Sequence, residues 1–295
     1  MNEAVFSARA NYAIEEPVNY YLNRPLASFF VDFFFKFTKI TPNQVTFLAM
    51  VVGVLAGLQL TGGSRNAFFG GALLFLLSQV LDCADGQLAR LKNMSSPFGR
   101  ILDGAGDYVV GLAIFGGIFY SLWSRYEEIQ LITVFPIDRP ALALLLVLCL
   151  LSSIVHSASY DYIKTKFASI LKTGVDDTEK EKQDYLRKIQ LQGASEGHRS
   201  TFLLKTYKLY TGLQQRLFSL TRFSKIHYTL EEREALFARY RTFLRFWSWS
   251  GPNSHYLFIV LAALLGDMVL AVLMIVFPMN LYYLFLLVYT RCKLR

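Results

Sequence analysis

Long apolar segments constrain this chain more than any other feature of its sequence. A membrane-spanning helix needs about 20 mostly apolar residues to cross about 30 Å of hydrocarbon, and a strand would show period-two alternation. Six segments lack that alternation, at residues 42–60, 66–81, 101–123, 141–163, 255–277 and 279–289. The second reaches full length only by continuing to about residue 90. The sequence therefore predicts an all-α polytopic membrane protein with six transmembrane helices, the last two joined at Pro278.

Composition supports this class and excludes several others. The chain is 54% hydrophobic and 18% charged, whereas a soluble domain carries about a quarter charged residues. The three cysteines cannot form a disulfide framework, and no Cys/His spacing typical of zinc is present. In so apolar a chain, the net charge of +8 is typical of loops held at an anionic membrane surface. We therefore expect membrane lipids, and no nucleic acid, as partners.

An amphipathic segment precedes the first predicted span. Residues 18–39 mix many aromatic side chains with charged ones such as Asp32 and Lys36. This composition is typical of a helix that lies in the membrane interface. The alternative is a seventh, broken span, which Pro25 and the charged residues disfavour.

The distribution of Lys and Arg predicts the orientation of the spans. With six spans, one side of the membrane receives only Arg65, Arg125 and Arg139, and the other side receives the remaining 27 of the 30 basic residues. Basic loops stay on the cytoplasmic side. We therefore expect a bacterial inner-membrane protein whose termini, active site and long connection between helices 4 and 5 are cytoplasmic.

That connection, residues 164–250, is the one compositional break in the chain. The stretch 161–250 carries 17 of the 30 basic residues and ten of the 22 acidic ones. Helical spacing predicts amphipathic helices at 201–220 and 231–249. On the cytoplasmic membrane surface such a loop would help to select the acceptor, dock another protein or serve as an anchor. The chain is thus divided into four segments, 1–39, 40–163, 164–250 and 251–295.

Four carboxylates stand where two predicted spans meet. Asp82 and Asp85 close the second span, and Asp103 and Asp107 open the third. Inserting a charged side chain at membrane depth costs about 3 kcal/mol even on lenient scales. The presence of four carboxylates there therefore indicates a specific role. Within each pair, the spacing of three or four residues places both acids on one helix face. A short turn between the spans lets the two acidic faces meet.

These carboxylates predict a metal site. Four of them cannot stay ionised together in a partly buried site without counter-charge, and Arg90 alone is insufficient. Mg²⁺ or Mn²⁺, as two ions, is the expected cofactor, and Gly86 and Gly99 leave space beside the acids for a ligand. A buried ion-pair cluster and a cation pathway are the alternatives. A pathway would spread its acids across the bilayer, whereas only Asp267 lies deeper in a predicted span.

The spacing of these residues resembles the motif of a known family. The string Asp82-x2-Asp85-Gly86-x2-Ala89-Arg90-x8-Gly99-x3-Asp103-x3-Asp107 matches the CDP-alcohol phosphotransferase motif at all eight fixed positions. Upstream, Thr41-Pro42-Asn43-Gln44-Val45-Thr46 is similar to the family's usual entry to its first span. Six spans after an interfacial helix are also what the resemblance implies. The long loop departs from the compact members.

The resemblance implies an enzyme that transfers a substituted phosphate from a CDP-linked donor to an alcohol acceptor and releases CMP, usually in phospholipid synthesis. CDP-diacylglycerol is the expected donor. A CDP-aminoalcohol or CDP-polyol donor, with a lipid hydroxyl or a soluble polyol as acceptor, is the alternative. Carried over by position, the metal ligands are Asp82, Asp85, Asp103 and Asp107. Asp107 is also the base that faces the acceptor, while the nucleotide is bordered by Gly86, Ala89 and Gly99 and held by Asp82 and Arg90.

Other polar residues near the ends of the spans are weaker candidates. Asn43 and Thr46 either touch the nucleotide or belong to a helix start in which Thr41 is the N-cap and Pro42 the first helical residue. His255 opens the predicted fifth span, where it binds phosphate or acceptor or simply packs at the interface.

Two further features concern packing. Asp267, in the middle of the predicted fifth span, is expected to face protein rather than lipid. Gly53-x3-Gly57 permits close approach of helices. A homodimer contact at this face is one interpretation, and a contact within the chain is the other.

Overall fold

The chain is predominantly helical over the residues that the computed structural model describes, which are 3–94, 97–127, 138–176 and 225–294. The helices are α1 (Glu3–Ile14), α2 (Arg24–Phe37), α3 (Pro42–Leu60), α4 (Arg65–Leu91), α5 (Pro97–Ser124), α6 (Arg139–Thr173), α7 (Leu230–Trp247), α8 (Pro252–Leu265), α9 (Met268–Met274) and α10 (Asn280–Leu294). Turns of π-helix at Asn19–Asn23 and Ile275–Met279 lead into α2 and α10. The predicted all-α class is confirmed.

Five helical segments are long and apolar enough to cross a membrane. They are Pro42–Leu60, Arg65–Leu91, Leu102–Ser124, Arg139–Thr173 and Met268–Lys293. α8 is apolar as well but has only 14 residues. The chain is therefore an integral membrane protein, with five candidate spans and one shorter apolar helix among its described residues.

The boundary predicted between the last two spans at Pro278 is wrong, because the turn lies at Gly266 and Asp267. Gly266 has a φ of +79°, a left-handed conformation that glycine adopts without steric cost. Asp267 caps α9, since its Oδ1 accepts a 2.9 Å hydrogen bond from the backbone N–H of Val269. Asp267 is thus an exposed residue at a helix start, not the protein-facing residue in mid-span that the sequence predicted.

Pro278 lies inside a continuous helical segment instead. Proline removes one backbone donor and crowds the preceding turn of a regular α-helix. Here the wider π-helical turn Ile275–Met279 accommodates the ring. The side chain of Asn280 supports this turn, since its Nδ2 donates a 2.8 Å hydrogen bond to the carbonyl oxygen of Val276.

The connection between α6 and α7 differs in part from the prediction. α6 continues to Thr173, well past the predicted end at Ile163. α7 confirms the helix predicted at 231–249, and its capping box joins Thr229 to Glu232. The helix predicted at 201–220 lies outside the described residues.

The described residues group into two compact units rather than into segments along the chain. One unit consists of Met1–Glu15, Val155–Gly251 and Leu281–Arg295, and the other of Glu16–Ile154 and Pro252–Asn280. The first has an aromatic core that includes Phe6, Phe167, Phe243 and Trp247. Within it Lys166 Nζ lies 2.9 Å from Asp176 Oδ2, and both side chains are buried. This ion pair ties α6 to the chain that follows it.

The second unit is built on a close crossing of α3 and α5. A Cβ added to Gly57 would lie 2.4 Å from the backbone carbonyl carbon of Ala113, and one added to Gly117 would lie 2.2 Å from the carbonyl oxygen of Gly57. A Cβ added to Gly53 would lie 2.6 Å from the side chain of Val110 on α5. The glycine face of α3 therefore packs within the chain, as one of the two interpretations of Gly53-x3-Gly57 expected.

Gly117→Ala is expected to lower the free energy of unfolding by about 1–3 kcal/mol, as overpacking commonly does. The reason is that the new methyl group meets backbone, which cannot rotate aside as a flexible side chain would. Gly116→Ala is the matched control, because nothing lies within 4 Å of its added Cβ. Thermal unfolding of the two purified proteins compares them, and equal midpoints would contradict this packing.

α2, which belongs to the second unit, has one face packed against other helices of that unit and one face exposed. Ala27, Val31 and Phe34 join residues of α3 and α4 in a hydrophobic cluster. Phe29 and Phe37 are each 75% exposed. An exposed aromatic face of this kind fits the predicted interfacial helix, since such helices present apolar side chains to lipid.

Candidate active site

The four predicted carboxylates come from two helix ends in the second unit. Asp82 and Asp85 lie in the last turns of α4, and Asp103 and Asp107 in the first turns of α5. Asp85 is buried, Asp82 and Asp103 are partly buried, and Asp107 is exposed. Asp85, Asp103 and Asp107 all lie close enough to Asp82 for their like charges to act on it. The two acidic faces therefore meet, as the spacing predicted.

Three of the carboxylates form a compact cluster. Oxygen atoms of Asp82, Asp85 and Asp103, one from each, lie within 4.8 Å of one another. Oxygens that share one Mg²⁺ at about 2.1 Å lie about 3–4 Å apart, so small side-chain movements would complete the coordination. The donors are all hard carboxylate oxygens, which Mg²⁺ and Mn²⁺ prefer. The cluster could therefore hold a divalent metal ion.

Thr46 orients the buried member of this cluster. Its hydroxyl donates a hydrogen bond to Asp85 Oδ2 and also lies 3.2 Å from the carbonyl oxygen of Pro42. Thr46 is itself only 6% exposed. From the sequence, Thr46 was expected either to contact the nucleotide or to belong to the helix start. Its main partner is instead a carboxylate of the cluster.

Asp107 lies outside the compact cluster, on the wall of an adjoining cavity. The cavity is lined by Thr46, Ala49, Met50, Ser78, Gln79, Asp82, Gly106, Asp107, Val110 and Tyr256. Asp82 thus belongs to both the cluster and the cavity. This placement fits a base that faces an acceptor next to the metal ligands. Its assignment as a fourth metal ligand stays a prediction.

Tyr256 is one of the cavity residues that the sequence analysis missed. It lies on α8, far along the chain from the acidic motif, and its ring meets that of Phe75 edge-on with centroids 5.1 Å apart. Only the packing of α8 against α4 brings it to the site. Its position one residue after His255 carried no chemical signal that would have singled it out.

The start of α8 is fixed by a buried carboxylate. Glu16 Oε2 accepts a 2.8 Å hydrogen bond from the backbone N–H of Asn253, and Glu16 Oε1 accepts one of 3.0 Å from Asn253 Nδ2. Asn23 Nδ2 in turn donates to Asn253 Oδ1 at 3.0 Å. A carboxylate at a helix N-terminus is also favoured by the helix dipole. These bonds hold the first turn of α8, and with it Tyr256.

Asn253→Ala is expected to lower the free energy of unfolding by about 1–3 kcal/mol, because it leaves buried polar atoms of Glu16 and Asn23 without their partner. Asn66→Ala is the control, since Asn66 is exposed at the start of α4. Thermal unfolding in the same detergent measures both variants. A midpoint for Asn253→Ala equal to that of the control would show that this network does not support the fold.

Of the residues assigned to the nucleotide, Gly86 lies beside open space. A Cβ added to Gly86 would have Arg90 Nη1, at 3.7 Å, as its nearest neighbour. Ala89 and Gly99 are partly buried, and Arg90 is exposed. The nucleotide contacts of these four residues stay predictions.

The helix-start interpretation near Asn43 is confirmed. Thr41 Oγ1 accepts a hydrogen bond from the backbone N–H of Gln44, while Gln44 Oε1 accepts one of 2.8 Å from the backbone N–H of Thr41. Pro42 occupies the first turn. Asn43 is partly buried there, and its contact with nucleotide stays a prediction. His255 is 1% exposed, which favours packing over contact with phosphate.

The fold and the site together define a class of protein. It is an integral membrane protein in which carboxylates, at the junction of two apolar helices, can bind a divalent ion and through it a phosphate ester. Residues 39–174 match the family model described as CDP-alcohol phosphatidyltransferase. This part of the chain is therefore similar to the CDP-alcohol phosphatidyltransferase family, as the motif led us to expect, and all four carboxylates fall within it.

Curated relatives are similar to part of the chain. Ceramide phosphoethanolamine synthase of Drosophila melanogaster is 34% identical over 113 residues, which are 35% of this chain and 29% of that protein. Phosphatidylinositol phosphate synthase of Streptomyces avermitilis is 38% identical over 84 residues, 28% of this chain and 33% of that protein. CDP-diacylglycerol–glycerol-3-phosphate 3-phosphatidyltransferase of Wigglesworthia glossinidia brevipalpis is 36% identical over 70 residues, 23% of this chain and 38% of that protein. The chain spans about a third of the length of these relatives.

Proposed function

We propose that this protein is a metal-dependent membrane phosphotransferase of phospholipid synthesis. It moves a substituted phosphate from a CDP-linked donor to the hydroxyl of an alcohol acceptor and releases CMP. The observation that carries the proposal is the cluster of Asp82, Asp85 and Asp103 beside Asp107, inside the part of the chain that matches the family model.

The residues of the site have distinct tasks in this reaction. Asp82, Asp85 and Asp103 hold the divalent ions, two in our proposal, and the Thr46 hydroxyl keeps Asp85 in place. A bound divalent ion would neutralise negative charge on the donor diphosphate. Gly86, Ala89 and Gly99 leave room for the nucleotide, and Arg90 binds its phosphate.

Asp107 acts as the general base. Its carboxylate takes the proton from the acceptor hydroxyl as the oxygen forms a bond to the phosphorus of the substituted phosphate. The bond from that phosphorus to CMP breaks, and CMP departs with the electron pair. Because the acceptor attacks directly, no side chain has to act as a nucleophile.

The first candidate for the donor is CDP-diacylglycerol, so that a phosphatidyl group is transferred. The names of the Streptomyces and Wigglesworthia relatives favour it, since both describe the synthesis of phosphatidyl lipids. The second candidate is a CDP-aminoalcohol donor with a lipid hydroxyl as acceptor. The name of the Drosophila relative, a ceramide phosphoethanolamine synthase, favours this one. A CDP-polyol donor belongs to the same second group.

For the membrane arrangement we propose six crossings, with α8 as the fifth, in a bacterial inner membrane. The termini, the acidic site and the loop between α6 and α7 face the cytoplasm, which the distribution of the 30 basic residues favours. α2 lies in the interface. A homodimer stays a prediction with no surface assigned to it.

CMP release by the purified full-length protein tests the proposal. CDP-diacylglycerol, CDP-ethanolamine and CDP-glycerol are each supplied with Mn²⁺ or Mg²⁺ and with a panel of acceptors, namely glycerol 3-phosphate, inositol phosphate, diacylglycerol and ceramide. We expect CMP and a matching lipid product from one donor class. Absence of CMP release from every donor, by protein that retains its thermal transition, would overturn the proposal.

A further inference from the structure

The cavity beside the acidic cluster is lined in part by polar residues that have no role in the proposed binding of metal or nucleotide. Its volume is about 10 Å³, and its polar lining includes Gln79 and Tyr256 as well as Asp82 and Asp107. A space of this size accommodates about one water molecule. It is therefore too small for a nucleotide and suits a single hydroxyl group.

Gln79 presents an amide to this cavity. It lies one helical turn before Asp82 on α4, and it is partly buried. Among the described residues its side chain makes no hydrogen bond within the protein. An amide beside such a cavity can form a hydrogen bond with a polar group that enters it. A polar ligand in the cavity would satisfy it.

Tyr256 faces the same cavity from α8. Its ring is held edge-on by Phe75, and the helix start that carries it is held by Glu16 through Asn253. The phenol hydroxyl of a tyrosine can donate one hydrogen bond as well as accept others.

We infer that this cavity receives the attacking hydroxyl of the acceptor alcohol, with Tyr256 as the donor that orients it. This inference rests on the proposed function. The acceptor O–H points its proton at Asp107, one lone pair of its oxygen accepts a hydrogen bond from Tyr256, and the other lone pair faces the phosphorus. When the proton passes to Asp107, the new P–O bond forms and the bond to CMP breaks. Gln79 binds the next polar atom of the acceptor.

Tyr256→Phe tests this role, since it removes one hydroxyl and keeps the ring. Loss of one hydrogen bond to the ligand should raise the KM for the acceptor about 3- to 10-fold. Water would then compete more effectively with the acceptor for attack on the donor phosphorus. More CMP should therefore be released per molecule of lipid formed. The affinity for CDP in the presence of Mn²⁺ should stay within about twofold of wild type. Tyr120→Phe, at an exposed position on α5, is the matched control.

Gln79→Met, of similar size, provides an independent second variant with the same expected pattern. Unchanged acceptor KM and unchanged CMP-to-lipid ratio in both variants, with wild-type thermal transitions, would overturn the inference. So would a loss of CDP affinity equal to the loss of acceptor affinity, because that would indicate a general disturbance. Failure of the proposed function is a separate outcome, since the wild-type protein would then release no CMP from any donor.

Discussion

Asp107→Asn should lower the rate of CMP release about 10³-fold, the loss typical of removing a general base. The amide keeps the shape of the side chain but cannot take the acceptor proton. Because Asp107 lies on the cavity wall outside the compact cluster, the affinity for CDP with Mn²⁺ should change little. Single-turnover CMP release and calorimetric titration with CDP measure the two quantities.

Substitutions within the carboxylate cluster should have a different effect from Asp107→Asn. Asp82→Asn, Asp85→Asn and Asp103→Asn each remove one of three oxygens that lie within 4.8 Å of one another. We expect all three to weaken Mn²⁺ binding as well as to abolish turnover, and exhaustive chelation of the wild type to do the same. Asp267→Asn is the control, since Asp267 is an exposed helix cap. Full turnover after chelation would contradict a metal site.

Gly86→Leu should reduce the affinity for CDP at least about 100-fold. The space beside Gly86 contains only the end of the Arg90 side chain, at 3.7 Å. The protein should therefore tolerate the leucine, whose side chain would instead fill space intended for the ligand. The motif also assigns Gly99 to the border of the nucleotide, so Gly99→Leu should have the same effect.

Gly116→Leu is the control for this pair, because Gly116 also faces open space but lies on α5 far from the acidic motif. Calorimetric titration with CDP and thermal unfolding together separate loss of the site from loss of the fold. Retained CDP affinity in a folded Gly86→Leu protein would show that the nucleotide lies elsewhere.

Much of this site was predictable because its signals are local. The intervals between Asp82, Asp85, Asp103 and Asp107 place acids on helix faces whatever the surrounding fold. The start of α3 was equally clear, since the Thr41 capping box involves only residues within one turn. Local hydrogen bonds and helical periodicity do not depend on tertiary packing, so the sequence alone defines them.

The errors arose where one local signal competed with another. Pro278 was interpreted as a turn because it divides a long apolar run, yet a π-helical turn keeps the helix continuous there. The sequence Gly266-Asp267 combined a left-handed residue with a helix cap and was the better turn signal. Tyr256 could not be found in this way, because only packing between helices distant in the chain brings it to the cavity.

The shortness of α8 has a consequence for the lipid around it. Fourteen residues make a helix about 21 Å long, against a hydrocarbon core of about 30 Å. The turn that ends it carries the exposed carboxylate of Asp267, which requires water or headgroups. Hydrophobic mismatch of this kind is relieved when the bilayer thins locally. We expect a depression in the membrane surface beside Gly266, and bilayers of shorter acyl chains should therefore stabilise the protein more than thicker ones.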